Sequence, residues 1–124
     1  MVSPISEMVI AKGVANVDFS KLTPQLRDQV CDEVGETLMK RGQHEEAAKA
    51  LSIGASSKLQ EFSNYFLTHS LPAAAAAYAL HLDDKVFVEK VAYTNLHSGN
   101  QEQAKRLFAR AGNLEMVRFI EENF

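Results

Sequence analysis

The sequence predicts an all-α protein, built as a stack of antiparallel helical hairpins with about seven or eight helices. Apolar residues recur at helical spacing from Thr23 to the C-terminus. The 124 residues include sixteen alanines but only six glycines and three prolines, a composition that favours helix. A pattern of large and small residues also repeats every 28 or 29 positions. A repeat of this length indicates stacked supersecondary units.

The N-terminal 22 residues are predicted to lie outside the repeats. Residues 5–12 are expected to form a short helix, whereas residues 14–21 lack helical periodicity. This second stretch is expected to be a loop or a short extended segment. Residues 23–124 are assigned to the helical-repeat domain, and the length of the chain fits a single domain overall.

Capping residues mark the helices that follow. Thr23 suits the N-cap of the first long helix, and Pro24 suits its first position, where a missing N–H is harmless. Gly42 suits the left-handed conformation that ends this helix. The later helices are predicted to start at Gln43, Ser56 or Ser57, Pro72, Asp83, Asn100 and Asn113.

The repeat is clearest in the first helix of each hairpin, as a stripe at positions i, i+3, i+4 and i+7 with a small residue third. Its copies are Cys31, Val34, Gly35, Leu38; Leu59, Phe62, Ser63, Phe66; and Val88, Val91, Ala92, Asn95. Asn95 does not fit the apolar pattern. The turn and the second helix repeat as well, through Gly42, Ser70, Gly99; Ala47, Ala75, Ala104; and Leu51, Ala79, Phe108.

Small residues at these positions let two helices approach to within about 8–10 Å. One hairpin cannot bury its own apolar face, so successive hairpins are expected to stack. The core predicted from this arrangement includes Leu38, Leu51, Phe62, Phe66, Val88, Val91, Leu107 and Phe108.

These residues resemble the tetratricopeptide repeat, in which a large–small pair is followed by a glycine turn and an alanine five residues later. The matching positions are Val34-Gly35, Leu38, Gly42, Ala47, Leu51 and then Val91-Ala92, Gly99, Ala104, Phe108, Ala111. The resemblance covers roughly residues 28–111. The tail, residues 104–120 with Ala111-Gly112-Asn113, is similar to the short helical hairpins of clathrin- and coatomer-type solenoids. The resemblance implies a tetratricopeptide-like α-solenoid.

By this resemblance, the first helices of the hairpins line a groove that binds a partner. The groove positions are Asp32, Glu36, Gln60, Asn64, Glu89, Tyr93 and His97. One class of these repeats clamps a C-terminal carboxylate with Lys, Asn and Arg, whereas this groove carries three acids. A neutral-to-acidic groove is expected to prefer a polar or basic peptide or protein surface.

The expected function is that of a non-enzymatic adaptor or scaffold, because the repeat supplies a groove and no catalytic constellation. A first alternative is a structural or regulatory subunit of a multiprotein assembly, held through the ends of the solenoid. A second is a small helical enzyme that uses Glu89, Tyr93 and His97 as acid and base groups on one helix. A deep, closed pocket around Tyr93 would favour the enzyme.

The chemically reactive residues have simpler explanations. The four histidines lie near helix ends, where a cation interacts favourably with the last carbonyls. Cys31 occupies a position of the apolar stripe, and no glycine cluster forms a phosphate-binding loop. No catalytic, cofactor-binding or metal-binding residue is therefore assigned.

Charge and hydropathy exclude other classes of partner. The net charge of −3 argues against nucleic acid and anionic membrane. The longest apolar run, residues 71–80, is about half of a bilayer span. A single cysteine suits a reducing compartment, which predicts a cytoplasmic location.

The last helix, residues 113–123, carries apolar residues on more than one face. Leu114, Val117 and Phe124 are expected to pack on the preceding hairpin. This leaves Met116, Phe119 and Ile120 without cover, and the ends of solenoids normally need a polar cap. These three residues are therefore predicted to form an association surface, for homodimerisation or for docking onto a larger assembly.

Overall fold

The computed structural model describes residues 2–124, which form eight α-helices and no strand. The helices are α1 (Pro4–Lys12), α2 (Pro24–Lys40), α3 (His44–Ile53), α4 (Lys58–Thr68), α5 (Pro72–Ala79), α6 (Lys85–His97), α7 (Gln101–Arg110) and α8 (Leu114–Asn123). Neighbouring helices pack against one another as hairpins. The predicted all-α class is confirmed.

The chain divides into two compact units, of which the first ends at Leu59 and the second is Gln60–Phe124. The first unit contains α1, α2 and α3, and the second contains α5 to α8. Helix α4 begins in the last residues of the first unit and continues into the second. The expectation of one domain overall stays a prediction.

The N-terminal segment covers part of the first hairpin. The predicted short helix is present as α1, which packs against α2 and buries Val9. The stretch expected to be a loop or extended segment instead forms two 3₁₀ turns, Val14–Asn16 and Phe19–Lys21. That prediction was wrong because local hydrogen bonding closes the chain there: the Asp18 carboxylate accepts from the Ser20 N–H at 3.0 Å.

The small residue predicted in the first stripe sets the distance between α2 and α3. A Cβ atom on Gly35 would lie 2.4 Å from Leu51 Cδ2 and 3.3 Å from the Ala47 carbonyl oxygen. Only glycine leaves room for Leu51 at this separation. The close approach expected from the large–small pair is therefore present in the first hairpin.

Left-handed residues end the first helix of each hairpin at the predicted turn positions. Gly42, Ser70 and Gly99 have φ angles of 76°, 60° and 85°. The residue after each turn donates its N–H to the carbonyl five residues back, over distances of 2.8–3.0 Å, in the bonds Gln43 to Leu38, Leu71 to Phe66 and Asn100 to Asn95. These bonds satisfy carbonyls that would otherwise lack a partner at the helix end.

Seven of the eight predicted core residues are buried: Leu38, Leu51, Phe66, Val88, Val91, Leu107 and Phe108. Phe62 is the exception, since its side chain is only partly buried. Its ring lies edge-on to Tyr78, with centroids 5.8 Å apart. Tyr78 is the fully buried aromatic residue of this hairpin. It was not among the predicted core residues, because it lies in a run of alanines without a stripe of large apolar residues.

Asn95, which breaks the apolar stripe, joins three helices. Its side chain is fully buried, and Nδ2 donates to the Pro72 carbonyl at 3.0 Å and to the Val91 carbonyl at 2.9 Å. Its Oδ1 accepts from Asn100 Nδ2 at 3.2 Å. A buried amide with all of these partners is compatible with a packed core.

The start of α6 differs from the prediction by one residue. Asp84, rather than Asp83, is the N-cap, and its carboxylate accepts from the Phe87 N–H at 3.2 Å. Asp83 instead accepts from Arg110 Nη2 at 2.9 Å. Both aspartates suit an N-cap, so the sequence alone did not decide between them.

Candidate interaction surfaces

Two of the acidic groove residues are neutralised within the first unit. Asp32 and Glu36 lie one turn apart on α2, and Lys58 Nζ is 3.1 Å from Asp32 and 3.0 Å from Glu36. The Lys58 hydrogen bond holds the pKa of the Glu36 carboxyl below its ordinary value, and the same bond raises the pKa of Lys58. Lys40 also pairs with Glu36, at 3.3 Å.

Sequence reasoning missed Lys58, because the groove positions were taken from the first helix of each hairpin in isolation. Lys58 could have been found as a lysine in the first turn of α4, the first helix of the following hairpin. Facing the two carboxylates of α2, this lysine offsets one of their two negative charges.

In two hairpins, the carboxylate at the first groove position accepts a hydrogen bond from a residue just before the first helix of the following hairpin. The Ser56 hydroxyl donates to Asp32 in the first unit. In the second unit, Asn113 Nδ2 donates to Glu89 Oε1 at 3.0 Å, across the same 24-residue separation. Three predicted groove acids thus have internal partners, and the expected preference for a basic ligand has less support.

The other four groove positions are exposed. They are Gln60 and Asn64 on α4, and Tyr93 and His97 on α6. Tyr93 is 49% exposed, and its ring lies edge-on to buried Phe108 with centroids 4.9 Å apart. These side chains can offer hydrogen bonds and one aromatic surface to a partner.

The enzyme alternative depends on a closed pocket around Tyr93. Neither the cavity beside α8 nor the cavity in the N-terminal segment is lined by Glu89, Tyr93 or His97. Glu89 is held by Asn113, and Tyr93 packs on Phe108. These contacts give both side chains a structural role in the second unit.

Neither a metal centre nor a membrane span is found among residues 2–124. No group of three or more His, Cys, Asp and Glu side chains there is placed to hold a metal ion. Cys31 is fully buried, and burial raises the pKa of its thiol to about 11. No helix in this part of the chain has both the length and the low polarity needed to cross a membrane.

The final helix buries a different set of residues from the set predicted. Ile120, expected to lack cover, is 4% exposed, and Met116 is partly buried. Leu114 and Phe124, expected to pack on the preceding hairpin, are 60% and 62% exposed. The prediction was wrong here because α8 turns its Ile120 side toward the rest of the unit and packs against α7.

Phe119 lies on the solvent side of α8, as predicted, and is 47% exposed. Its ring meets that of Phe124 with centroids 6.2 Å apart. These two rings form an exposed apolar pair at the end of the C-terminal helix, and Leu114 is exposed at its start. The role of this helix as an association surface stays a prediction.

An open cavity of about 560 Å³ lies beside this surface, between the first turn of α7 and the last turn of α8. Its lining residues are Gly99, Asn100, Gln101, Glu102, Gln103, Lys105, Ile120, Glu121 and Phe124. Lys105 is paired with Glu102 at 3.3 Å. The wall on α8 thus combines the apolar Ile120 and Phe124 with the Glu121 carboxylate, and the wall on α7 is polar.

A second cavity, of about 320 Å³, lies in the N-terminal segment of the first unit. Its lining residues are Ile5, Met8, Val9, Lys12, Val17, Asp18 and Leu22. It is mostly apolar, and Met8 at its edge is exposed. Nothing in the sequence pointed to this cavity, because it is formed by α1 and the irregular segment that follows.

Comparison with protein-family models, with curated proteins and with solved structures finds no match.

Proposed function

We propose that this protein is a non-enzymatic interaction module of the tetratricopeptide-like α-solenoid class, which holds another protein through its C-terminal helix. Such a module is a subunit or adaptor of a larger assembly. The observation that supports this proposal is the exposed apolar pair of Phe119 and Phe124, of which Phe124 also lines an open cavity. Contiguous exposed apolar side chains on a folded domain usually mark an association surface.

The repeated hairpin supports the solenoid class. The turn residues Gly42, Ser70 and Gly99 recur in one conformation, and each is followed by the same hydrogen bond. Because the same turn geometry recurs in three hairpins, the helices form a rigid framework, and exposed side chains on it are preorganised for binding a partner. The single cysteine of the sequence suits a reducing compartment, and a cytoplasmic location is therefore part of the proposal.

The groove is the second candidate surface. It would bind a polar peptide through Gln60, Asn64, Tyr93 and His97, the groove positions that remain exposed. The exposure of Tyr93 favours it, since aromatic side chains often anchor interfaces. The engagement of Asp32, Glu36 and Glu89 inside the protein counts against it.

Matched substitutions at the two surfaces test the proposal. Phe119 and Tyr93 are exposed to similar extents, 47% and 49%, so the two glutamate substitutions are matched, and circular dichroism of each variant checks that the helical fold is kept. Wild type, Phe119→Glu and Tyr93→Glu would be immobilised and exposed to source lysate, and the captured proteins quantified by mass spectrometry. We expect a set of proteins that wild type and Tyr93→Glu retain and that Phe119→Glu loses.

Loss of the captured proteins with Tyr93→Glu but not with Phe119→Glu would show that the groove is the interface. If wild type captures no more protein than an unrelated helical protein does, the proposed function is contradicted. Sedimentation of the same samples tests the predicted homodimer. A mass that rises with concentration in wild type, but not in Phe119→Glu, would show that the C-terminal helix pairs with a second copy.

A further inference from the structure

Helix α8 has the register of a first hairpin helix. Val117, Ile120, Glu121 and Phe124 stand 29 positions after the stripe of α6, which is Val88, Val91, Ala92 and Asn95. In α6 this stripe is fully covered, and α7 packs against it. In α8 only Ile120 is buried, and no later helix covers the stripe within residues 2–124. We define the hairpin face of α8 as Leu114, Val117, Glu121 and Phe124.

The cavity beside α8 stands where a further helix would begin. One repeat earlier, the start of α5, the end of α6 and the start of α7 meet through Pro72, Asn95 and Asn100. Moving on by one repeat, the start of α7 takes the place of the start of α5, and Phe124 at the end of α8 takes the place of Asn95. Both line the 560 Å³ cavity. The third member of the junction is replaced by open space. The repeat therefore predicts that a helix, with its first turn in this cavity, fits the hairpin face.

The negative charge of Glu121 on the hairpin face indicates which kind of helix can bind there. Glu121 stands at the position of the small residues Gly35, Ser63 and Ala92 and is exposed, with no ion pair among the described residues. A carboxylate there prevents the close approach seen at Gly35. It is matched instead by a cation on the incoming helix, since an unpaired charge is costly to bury.

The same charge disfavours a second copy of this chain as the occupant. In a two-fold dimer, the same patch of both subunits meets itself. The hairpin face of α8 carries one charged residue, Glu121, and no cation. Pairing of two such faces would bring like charges together, whereas a basic partner is attracted to them.

We propose that the hairpin face of α8 binds an amphipathic helix of another protein, with an apolar stripe against Leu114, Val117 and Phe124 and a lysine or arginine opposite Glu121. This helix takes the place that a second helix holds in each preceding hairpin. The inference rests on the proposed function, because Phe124 belongs both to the exposed pair with Phe119 and to the hairpin face, and the inference identifies the class of partner received there.

Two synthetic helical peptides test this inference on the purified full chain. Both have the same stripe of leucine and alanine, one flanked by lysines and the other by glutamates. Each is about 18 residues long, because shorter isolated helices are marginal in water. Binding is followed by fluorescence anisotropy of a dye on the peptide. We expect wild type to bind the lysine peptide at least about tenfold more tightly than the glutamate peptide.

Substitutions on α8 then assign the contact. Glu121→Arg is expected to reverse the preference between the two peptides. Glu122→Arg is the matched control, because it makes the same change of charge in the same turn, about 100° around the helix. It is expected to keep the wild-type preference. Phe124→Ser, at an exposed position, is expected to weaken binding of the lysine peptide about tenfold or more.

Equal binding of the two peptides, binding of neither, or the same effect from Glu121→Arg and Glu122→Arg would overturn the inference. So would a wild-type dimer that Leu114→Glu converts to a monomer, since the occupant would then be a second copy. The peptide assay needs no natural partner, so its failure leaves the capture experiment unaffected. If the peptide binds as expected but capture shows no specific partner, only the proposed function fails.

Discussion

Gly35 determines how closely α2 and α3 pack, because a Cβ atom there would overlap the Leu51 side chain at 2.4 Å. We predict that Gly35→Leu lowers the free energy of unfolding by about 1–3 kcal/mol, through overpacking of this contact. Gln29→Leu adds the same side chain to an exposed position of α2 and serves as the control. Urea unfolding measures both. An unchanged midpoint for Gly35→Leu would mean that the two helices are farther apart than described.

Cys31 predicts a pH dependence of stability. Burial raises the pKa of the folded thiol to about 11 from an ordinary value of 9.0. The unfolded chain therefore releases this proton first, and the thiol's contribution to stability is complete below pH 9.0 and is lost as the pH rises toward 11. Wild type should lose more unfolding free energy across this window than Cys31→Val. Parallel losses in urea titrations of the two proteins would show that the thiol is not buried.

Some roles of single residues could be predicted from the sequence, and others could not. Gly35 was predictable, because a small residue inside an apolar stripe has a direct packing consequence. Asn95 was not, since its hydrogen-bond partners Pro72 and Asn100 belong to other helices. Lys58 was missed for the same reason: the carboxylates it pairs with lie 22 and 26 residues earlier in the chain.

At the scale of elements, the middle hairpin departs from the others at its turn. Ser70 holds a φ of 60°, where the equivalent residues Gly42 and Gly99 are glycines. A left-handed conformation costs a residue with a Cβ atom roughly 1–2 kcal/mol. We predict that Ser70→Gly raises the free energy of unfolding by about 0.5–1 kcal/mol, after allowance for the greater entropy of glycine in the unfolded chain.

Two serine and glycine exchanges serve as controls for this turn. Ser98→Gly changes a residue with φ of −85°, where glycine brings no benefit, and it is expected to be neutral or destabilising. Gly99→Ser is expected to destabilise, as the reverse of the Ser70 change. Thermal unfolding of the three variants gives the comparison. A fall in melting temperature for Ser70→Gly would show that the Ser70 side chain stabilises the turn.

The helices were predictable as elements because their starts and stops depend on local chemistry. The orientation of α8 was not, because its apolar residues occupy more than one face and only tertiary contacts select the buried one. The spacing of 29 from α6 was present in the sequence, but it identifies equivalent positions rather than the helix that covers them. Residues 14–21 were misjudged because 3₁₀ turns have no apolar period.

At the scale of the molecule, each of the two units keeps some apolar side chains exposed, and in the first unit these include Met8. In the first unit, α1 packs on α2, and Val14 and Phe19 are buried. In the second unit, α8 packs on α7 but keeps Leu114, Phe119 and Phe124 exposed. The exposed Phe119 and Phe124 rings give the second unit a surface suited to association.

The central claim is that a partner occupies the C-terminal helix rather than the groove. Amide hydrogen exchange, measured on the protein alone and with the partner found by capture, tests it most directly. We predict slower exchange on binding in Leu114–Asn123 and in the first turn of α7, with Gln60, Asn64, Tyr93 and His97 unchanged. Protection of those four positions, with α8 unchanged, would contradict the claim.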